Sequence, residues 1–532
     1  MAGSVMEQIA VCLDRKKNFI LSGGAGSGKT YTLIQTLQQV FEHNSKVRVA
    51  CITYTNVAAN EIKERSPYSK LYVSTIHDFL WNVIKGFQKN LMEVVMELIK
   101  NSGLSYSGET PIDELVFDHV EYQNYRDLEN GIFTHDDLLK IANMMFAKYH
   151  LLAKVLCDKY DYIFIDEYQD TQNPVVDIFL THIRSQAQGR LCIGFFGDKM
   201  QSIYDTGVGN IDAFIANGDV QEIVKDDNYR CSTTVIALLN NIRSDIKQKA
   251  AKANSDGAII NKTGSAIFIY SDVDFDLDSF RKNELVAGWD FNDPKRTKVL
   301  FLTHRLIAKR IGFADLLQAF SPTDRLIGND PDKLASHLLK IGEILYFYER
   351  KEYASVIGNI HKKIKTNADK KAIGTVLTGI LSSTPHNIEA VIKTLDQERL
   401  LRKDERLDDY IEKYADIFDK VKVLPLSQLR AYYDYYNEFS AYSTQHGIKG
   451  AEFDNVLVIM ENGGWNNYNF KYYFEKTVGK DSVIARTEHI FYVCCSRAIE
   501  NLIIYYPSPT QQVISQAKRL FGDANVVNME SY

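Results

Sequence analysis

The stretch Asn18-Phe-Ile-Leu-Ser-Gly-Gly-Ala-Gly-Ser-Gly-Lys-Thr30 decides the fold. A short apolar, β-rich run enters a glycine-rich loop, and helical spacing from Thr32 to Phe41 follows directly. Glycines let consecutive backbone N–H groups curl around phosphate oxygens, and the N-terminus of the next helix adds positive potential. Gly23, Gly24, Ala25, Gly26, Ser27 and Gly28 would form that cradle, Lys29 would reach the β- and γ-phosphates, and Thr30 would ligate Mg²⁺. A dinucleotide fingerprint is excluded, because Tyr31 stands where its third glycine belongs.

A phosphate loop needs a second metal ligand at the end of a neighbouring buried strand. Tyr162-Ile-Phe-Ile-Asp-Glu167 supplies one: Asp166 for the Mg²⁺ shell, and Glu167 where a base can polarise the attacking water. Further apolar runs of strand length occur at 49–53, 191–196, 298–302, 456–459 and 501–505. Most stop at polar or glycine-rich clusters and give way to helical spacing, the layout of parallel strands with crossover helices. Two stretches differ. Residues 82–131 are polar and mixed, and 316–440 read as helical, with Leu334, Leu338, Ile341, Leu345 and Tyr348 on one stripe and Leu407, Ile411, Tyr414 and Phe418 on another. The polar run 244–257 reads as a solvated helix or connector. The fold expected is α/β, with two bodies each interrupted by an inserted subdomain.

Composition sets the outer bounds. With 532 residues, 45% hydrophobic and 24% charged, the chain has the proportions of a globular protein of several domains. Seven cysteines without a Cys-x-x-Cys pair point to a reducing, cytoplasmic interior, and no run is long and apolar enough for a membrane span. A net charge of −6 removes the simple argument for a basic coat on nucleic acid, so any such binding belongs to a local groove.

Asp166-Glu-Tyr-Gln-Asp170 resembles the DExQD segment of the UvrD/Rep/PcrA family of superfamily 1 DNA helicases, and the rest of that family's motif series follows in order. Gln8 lies 21 residues before Lys29, where the family keeps a glutamine that reads adenine. Cys51 to Arg65 resembles TFTNKAAxEMxxR, Ser74 to Asp78 the GTFH segment, and Phe133 to Leu139 the DFDDLL helix start. Gly197 to Tyr204 matches GDxxQSIY and Asn228-Tyr-Arg230 matches NYR, while Lys298 to Arg310 resembles a weaker segment. Thr444 to Phe453 is similar to TxHxxKGLEF, and Phe491 to Ala498 to YVxxTRA.

The resemblance implies two RecA-like P-loop NTPase domains with parallel sheets: 1–81 with 132–234, and 235–315 with 441–532. Insertions would occupy 82–131 and 316–440. It implies Lys29, Asp166, Glu167, Gln201, Arg230 and Arg497 as the catalytic set. Tyr229 would pack on adenine, Glu452 would contact ribose, and Gln201 would sense the γ-phosphate. Tyr54, Thr75, His77, Tyr204, Thr444 and His446 would line a single-strand groove. The chain departs from the pattern at Asp205-Thr-Gly-Val-Gly209, where the family continues with an aromatic residue and an arginine; Val57 replaces a lysine and Gly447 a serine. These departures bear on strand grip and processive unwinding.

For Tyr432, Tyr433, Tyr435, Tyr436, Phe439 and Tyr442, packing is favoured over base stacking. For Trp465, Tyr468, Phe470 and for His304-Arg305, packing and function both remain open, and Cys494-Cys495 reads as buried packing. The expected activity is Mg-ATP hydrolysis that drives movement 3′ to 5′ on single-stranded DNA. The short insertions, and a length that leaves no room for a nuclease domain, resemble the helicase subunit of Gabija-type antiphage systems, whose nuclease is separate. A repair helicase acting alone, or a DNA-sensing ATPase switch that regulates a partner nuclease, are the alternatives.

Overall fold

The computed structural model describes residues 3–203, 211–251, 261–272, 275–328, 330–382 and 386–529. The chain gathers into two compact units, Met1–Ser265 with Ala485–Glu500 and Ala266–Ile484 with Asn501–Tyr532. The first is built on a sheet of β1 (Phe19–Gly23), β2 (Val49–Thr53), β3 (Leu71–Thr75), β4 (Tyr162–Asp166), β5 (Cys192–Gly197) and β6 (Gln221–Lys225). Its spatial order is β3-β2-β4-β5-β1-β6, and all five pairings are parallel. The inner strands β1, β2 and β5 are buried at every residue, which is why they read as continuous apolar runs.

Asp166 was expected on a strand beside the loop strand; β5 lies between them. The two sites still meet, because both strands end at the same edge of a parallel sheet, where the connecting loops converge. The insertion after the helix Ile76–Ile84 shares the core of this body: Leu91, Val95, Leu104 and Leu128 belong to one buried cluster with Ile20, Ile52 and Ile163.

The second sheet comprises β7 (Ser265–Ser271), β8 (Thr297–Phe301), β9 (Tyr442–Thr444), β10 (Phe453–Ile459), β11 (Ala498–Pro507) and β12 (Val526–Asn528), in the order β9-β8-β10-β11-β7-β12. β8 pairs in parallel with β9 and β10, and β7 with β12. The helices between Ala314 and Tyr436 hold a core of their own, in which Leu334, Leu338, Ile341, Leu345 and Leu407 are buried as their spacing predicts.

A second expectation also fails. The run 244–257 is not a solvated connector where it is described: Ile246, Gln248 and Ala251 are buried, and Lys249–Ala250 pairs in parallel with Asp227–Asn228. Residues 252–260 and Tyr204 to Asn210 lie outside the described residues. The described part of the run folds back onto the phosphate loop, and that packing outweighs its polar composition.

Candidate functional site

The loop after β1 turns through Gly26 (φ 73°) and Gly28 (φ 76°), a left-handed backbone that side chains resist. A Cβ at Gly26 would also stand 2.7 Å from the Arg230 Cβ. Lys29 opens the helix Lys29–His43, and its Nζ donates to the carbonyls of Gly23 (3.1 Å) and Gly24 (3.3 Å). Burial pulls the Lys29 ammonium below its ordinary pKa, with the charges of Asp198, Glu167 and Asp166 opposing.

Thr30 Oγ1 donates to Asp166 Oδ2 at 3.3 Å. Asp166 is buried at the end of β4, and burial, then the neighbouring Glu167 charge, push its carboxyl well above the usual carboxylate range. A hydroxyl and a carboxylate side by side next to a lysine form an oxygen donor set suited to a hard divalent cation, so Thr30 and Asp166 fit the Mg²⁺ role. Glu167 takes a left-handed backbone at φ 51°, unusual for a non-glycine residue. Its carboxylate accepts from Gln169 Nε2.

Gln201 and Arg497 meet directly: Arg497 Nη2 donates to Gln201 Oε1 at 3.1 Å, while Gln201 Nε2 donates to Asp198 Oδ2 at 3.0 Å. Arg497 is buried, and desolvation followed by the like charge of Arg230 lowers its pKa to about 10. Arg230 Nη1 donates to the Ser496 carbonyl at 3.4 Å. Two cations held this close call for an anion, and a triphosphate supplies one.

Several residues with no assigned role complete this body. The Ala25 carbonyl accepts from Asn228 Nδ2 (3.0 Å) and Gln248 Nε2 (2.9 Å), and the Ala25 N–H donates to Tyr492 Oη (3.1 Å). Arg243 is buried at the end of the helix Thr233–Ile242, bound to Asp198, Asp245 and Tyr492. In sequence, Arg243 and Asp245 are an arginine and an aspartate two apart beside a polar run, which has the signature of a solvated pair.

The base-contacting candidates are less gathered. Tyr229 is half-exposed, its N–H donates to the Gly26 carbonyl, and its ring edge lies 4.0 Å from where a Gly28 Cβ would stand. Gln8 sits on the helix Val5–Asp14 and donates to the Gly3 carbonyl at 2.7 Å. Glu452 is in the second unit, exposed just before β10.

Among the strand-contacting candidates, Thr75 caps the helix Ile76–Ile84, accepting from the Asp78 N–H and donating to its carboxylate. His77 is buried and stacked on His135 with ring centroids 4.0 Å apart, and Tyr54 lies edge-on at 6.4 Å. In the second unit, Thr444 and His446 line a cavity of about 800 Å³ together with His304, Arg305, Lys309 and Trp465. His446 Nε2 lies 2.8 Å from Tyr468 Oη, and its ring centroid is 5.2 Å from that of Trp465.

A family model described as an AAA domain matches residues 7–207. The chain is 28% identical to the Gabija protein GajB of Bacillus cereus strain HuB5-5, over 96% of each chain, and 23% identical to the GajB of strain VD045, over 88% of this chain and 92% of that one. It is 25% identical to the ATP-dependent DNA helicase PcrA of Staphylococcus aureus strain Mu50, where the match spans 46% of this chain and 40% of PcrA. Through these matches the chain is similar to UvrD-like superfamily 1 DNA helicases, a likeness that the phosphate loop and the acidic strand end suit.

Proposed function

We propose that the protein is an ATP-dependent DNA motor of the UvrD type, which hydrolyses Mg-ATP to move 3′ to 5′ along single-stranded DNA and serves an antiphage defence system whose nuclease is a separate protein. The observation that carries the reading is the group around the phosphate loop: Lys29, the Thr30–Asp166 pair at 3.3 Å, Glu167, and the Gln201–Arg497 pair at 3.1 Å. Mg²⁺, when bound, neutralises charge on the phosphate oxygens. Lys29 exchanges its loop carbonyls for the β- and γ-phosphates, Glu167 orients and deprotonates the attacking water, and Arg230 with Arg497 takes up charge as the γ-phosphate leaves.

Support for a strand-binding role comes from the cavity in the second unit, where Arg305 and Lys309 offer cations to phosphates and Trp465 and His446 offer ring faces to bases. Support for defence comes from similarity to GajB over nearly the whole chain. A cytoplasmic setting suits the seven buried, free cysteines. Asp205 to Gly209, in place of an aromatic residue and an arginine, favours a second reading, an ATPase switch that senses DNA and regulates a nuclease without processive unwinding.

Two assays test the proposal together. ATP turnover is expected to rise with single-stranded DNA and to vanish in Lys29→Ala and Glu167→Gln; persistence of hydrolysis in either variant sinks the motor. Strand displacement beside turnover supports the helicase, whereas turnover without displacement selects the switch.

A further inference from the structure

We propose that Arg243 is a positioning residue that locks the phosphate loop to the Gln201–Arg497 pair, with the Tyr492 hydroxyl as the link; the inference rests on the ATPase reading above. Arg243 is fully buried, and its guanidinium makes four hydrogen bonds and a further ion-pair contact. Nε donates to Asp245 Oδ1 at 2.9 Å, Nη1 to Tyr492 Oη at 2.7 Å and Asp198 Oδ2 at 3.1 Å, and Nη2 to Asp245 Oδ2 at 3.0 Å, with Asp198 Oδ1 paired to Nη2 at 3.0 Å as an ion pair. An arginine fork held on both edges by carboxylates, out of water, has one geometry and holds its partners in one geometry.

Two branches leave that fork. Through Asp198, whose Oδ2 also accepts from Gln201 Nε2, it orients the amide whose oxygen receives Arg497. Through Tyr492, whose oxygen also accepts the Ala25 N–H, it reaches the phosphate loop. The Ala25 N–H is thereby committed to Tyr492 and not to phosphate, and the Ala25 carbonyl, in the next peptide, is held by Asn228 and Gln248. The loop, the Gln201 turn and the helix Asp481–Cys495 that leads to Arg497 therefore share one buried cation. Loss of a contact in this chain should misplace charge-stabilising groups in the transition state while leaving the cradle and Lys29 able to bind the triphosphate.

The test is Tyr492→Phe, which keeps the ring and its packing and deletes only the bridging oxygen. ATP turnover with single-stranded DNA is measured per active site, counted by titration with a non-hydrolysable ATP analogue. The expected result is kcat lowered about ten-fold with analogue affinity within about two-fold of wild type. Arg243→Lys keeps the charge but not the fork, and is expected to lower kcat similarly. The double variant should lose little more than the larger single loss, because both cut the same link. Unchanged kcat in Tyr492→Phe, a loss confined to affinity, or additive losses in the double variant would overturn the inference. If wild type itself shows no turnover of ATP with DNA, the motor reading fails instead.

Discussion

At the scale of the residue, the sharpest demand falls on Arg497. It is buried, it shares its surroundings with the like charge of Arg230, and it donates to Gln201, so its planar fork does geometric as well as electrostatic work. A lysine keeps the charge but offers a point cation without the fixed fork. Arg497→Lys is expected to lower kcat for ATP by about 100-fold or more, with nucleotide affinity changed far less, measured by steady-state turnover beside analogue binding. A variant within a few-fold of wild type would remove Arg497 from the transition state. Arg497 could be singled out in the sequence only through the resemblance of Phe491 to Ala498 to a family motif, because a lone arginine carries no local signature of its role. Asn228, Gln248, Arg243 and Tyr492 could not be singled out in the roles they take here. Asn228, Gln248 and Tyr492 bind the backbone of Ala25 and Arg243 binds Tyr492, all contacts across more than 200 residues that leave no local pattern.

At the scale of the element, legibility follows burial. β1, β2 and β5 are buried at every residue and read directly as apolar runs. β6 lies at an edge with only Ile223 buried, so Gln221–Lys225 carries no strand signature of its own and forms because β1 offers it a partner. The long helix Lys333–Glu349 carries its apolar stripe as expected, yet the stripe does not reveal Gly342. There the helix meets Tyr433 on the helix Leu426–Tyr436: a Cβ at Gly342 would lie 2.5 Å from two ring carbons and 2.7 Å from the Tyr433 Cβ. Neither helix can yield without disturbing the core around Leu338, Ile341 and Leu429. Gly342→Ala, which improves helix propensity, is therefore expected to destabilise by about 1–3 kcal/mol in urea unfolding. A gain in stability would mean that the contact is slack.

At the scale of the whole molecule, each unit hides a histidine in its core, His77 in the first and His337 in the second. Burial, joined by His135 for His77 and Lys340 for His337, lowers both from an ordinary 6.5 to about 4. Among the described residues His337 Nε2 has no hydrogen-bond partner, so a proton gained there would sit buried and unsolvated. Above pH 6.5 the folded and unfolded chains both keep these rings neutral, and the full stability is present. As the pH falls from 6.5 toward 4 the unfolded chain takes up protons that the folded chain refuses, so stability drops as acid is added, by at most about 3 kcal/mol per histidine. The Asp166 carboxyl, which the fold raises, takes up a proton in the same window and opposes this loss, so the histidine contribution is read as the difference in Tm between wild type and His337→Leu from pH 7.5 to 4.5. His337→Leu removes one of the two protonation sites from the unfolded chain and should flatten the decline without touching the phosphate loop. A slope that His337→Leu leaves unchanged from pH 6.5 to 5 would show that the His337 ring accepts a proton in place and that the core admits water to it.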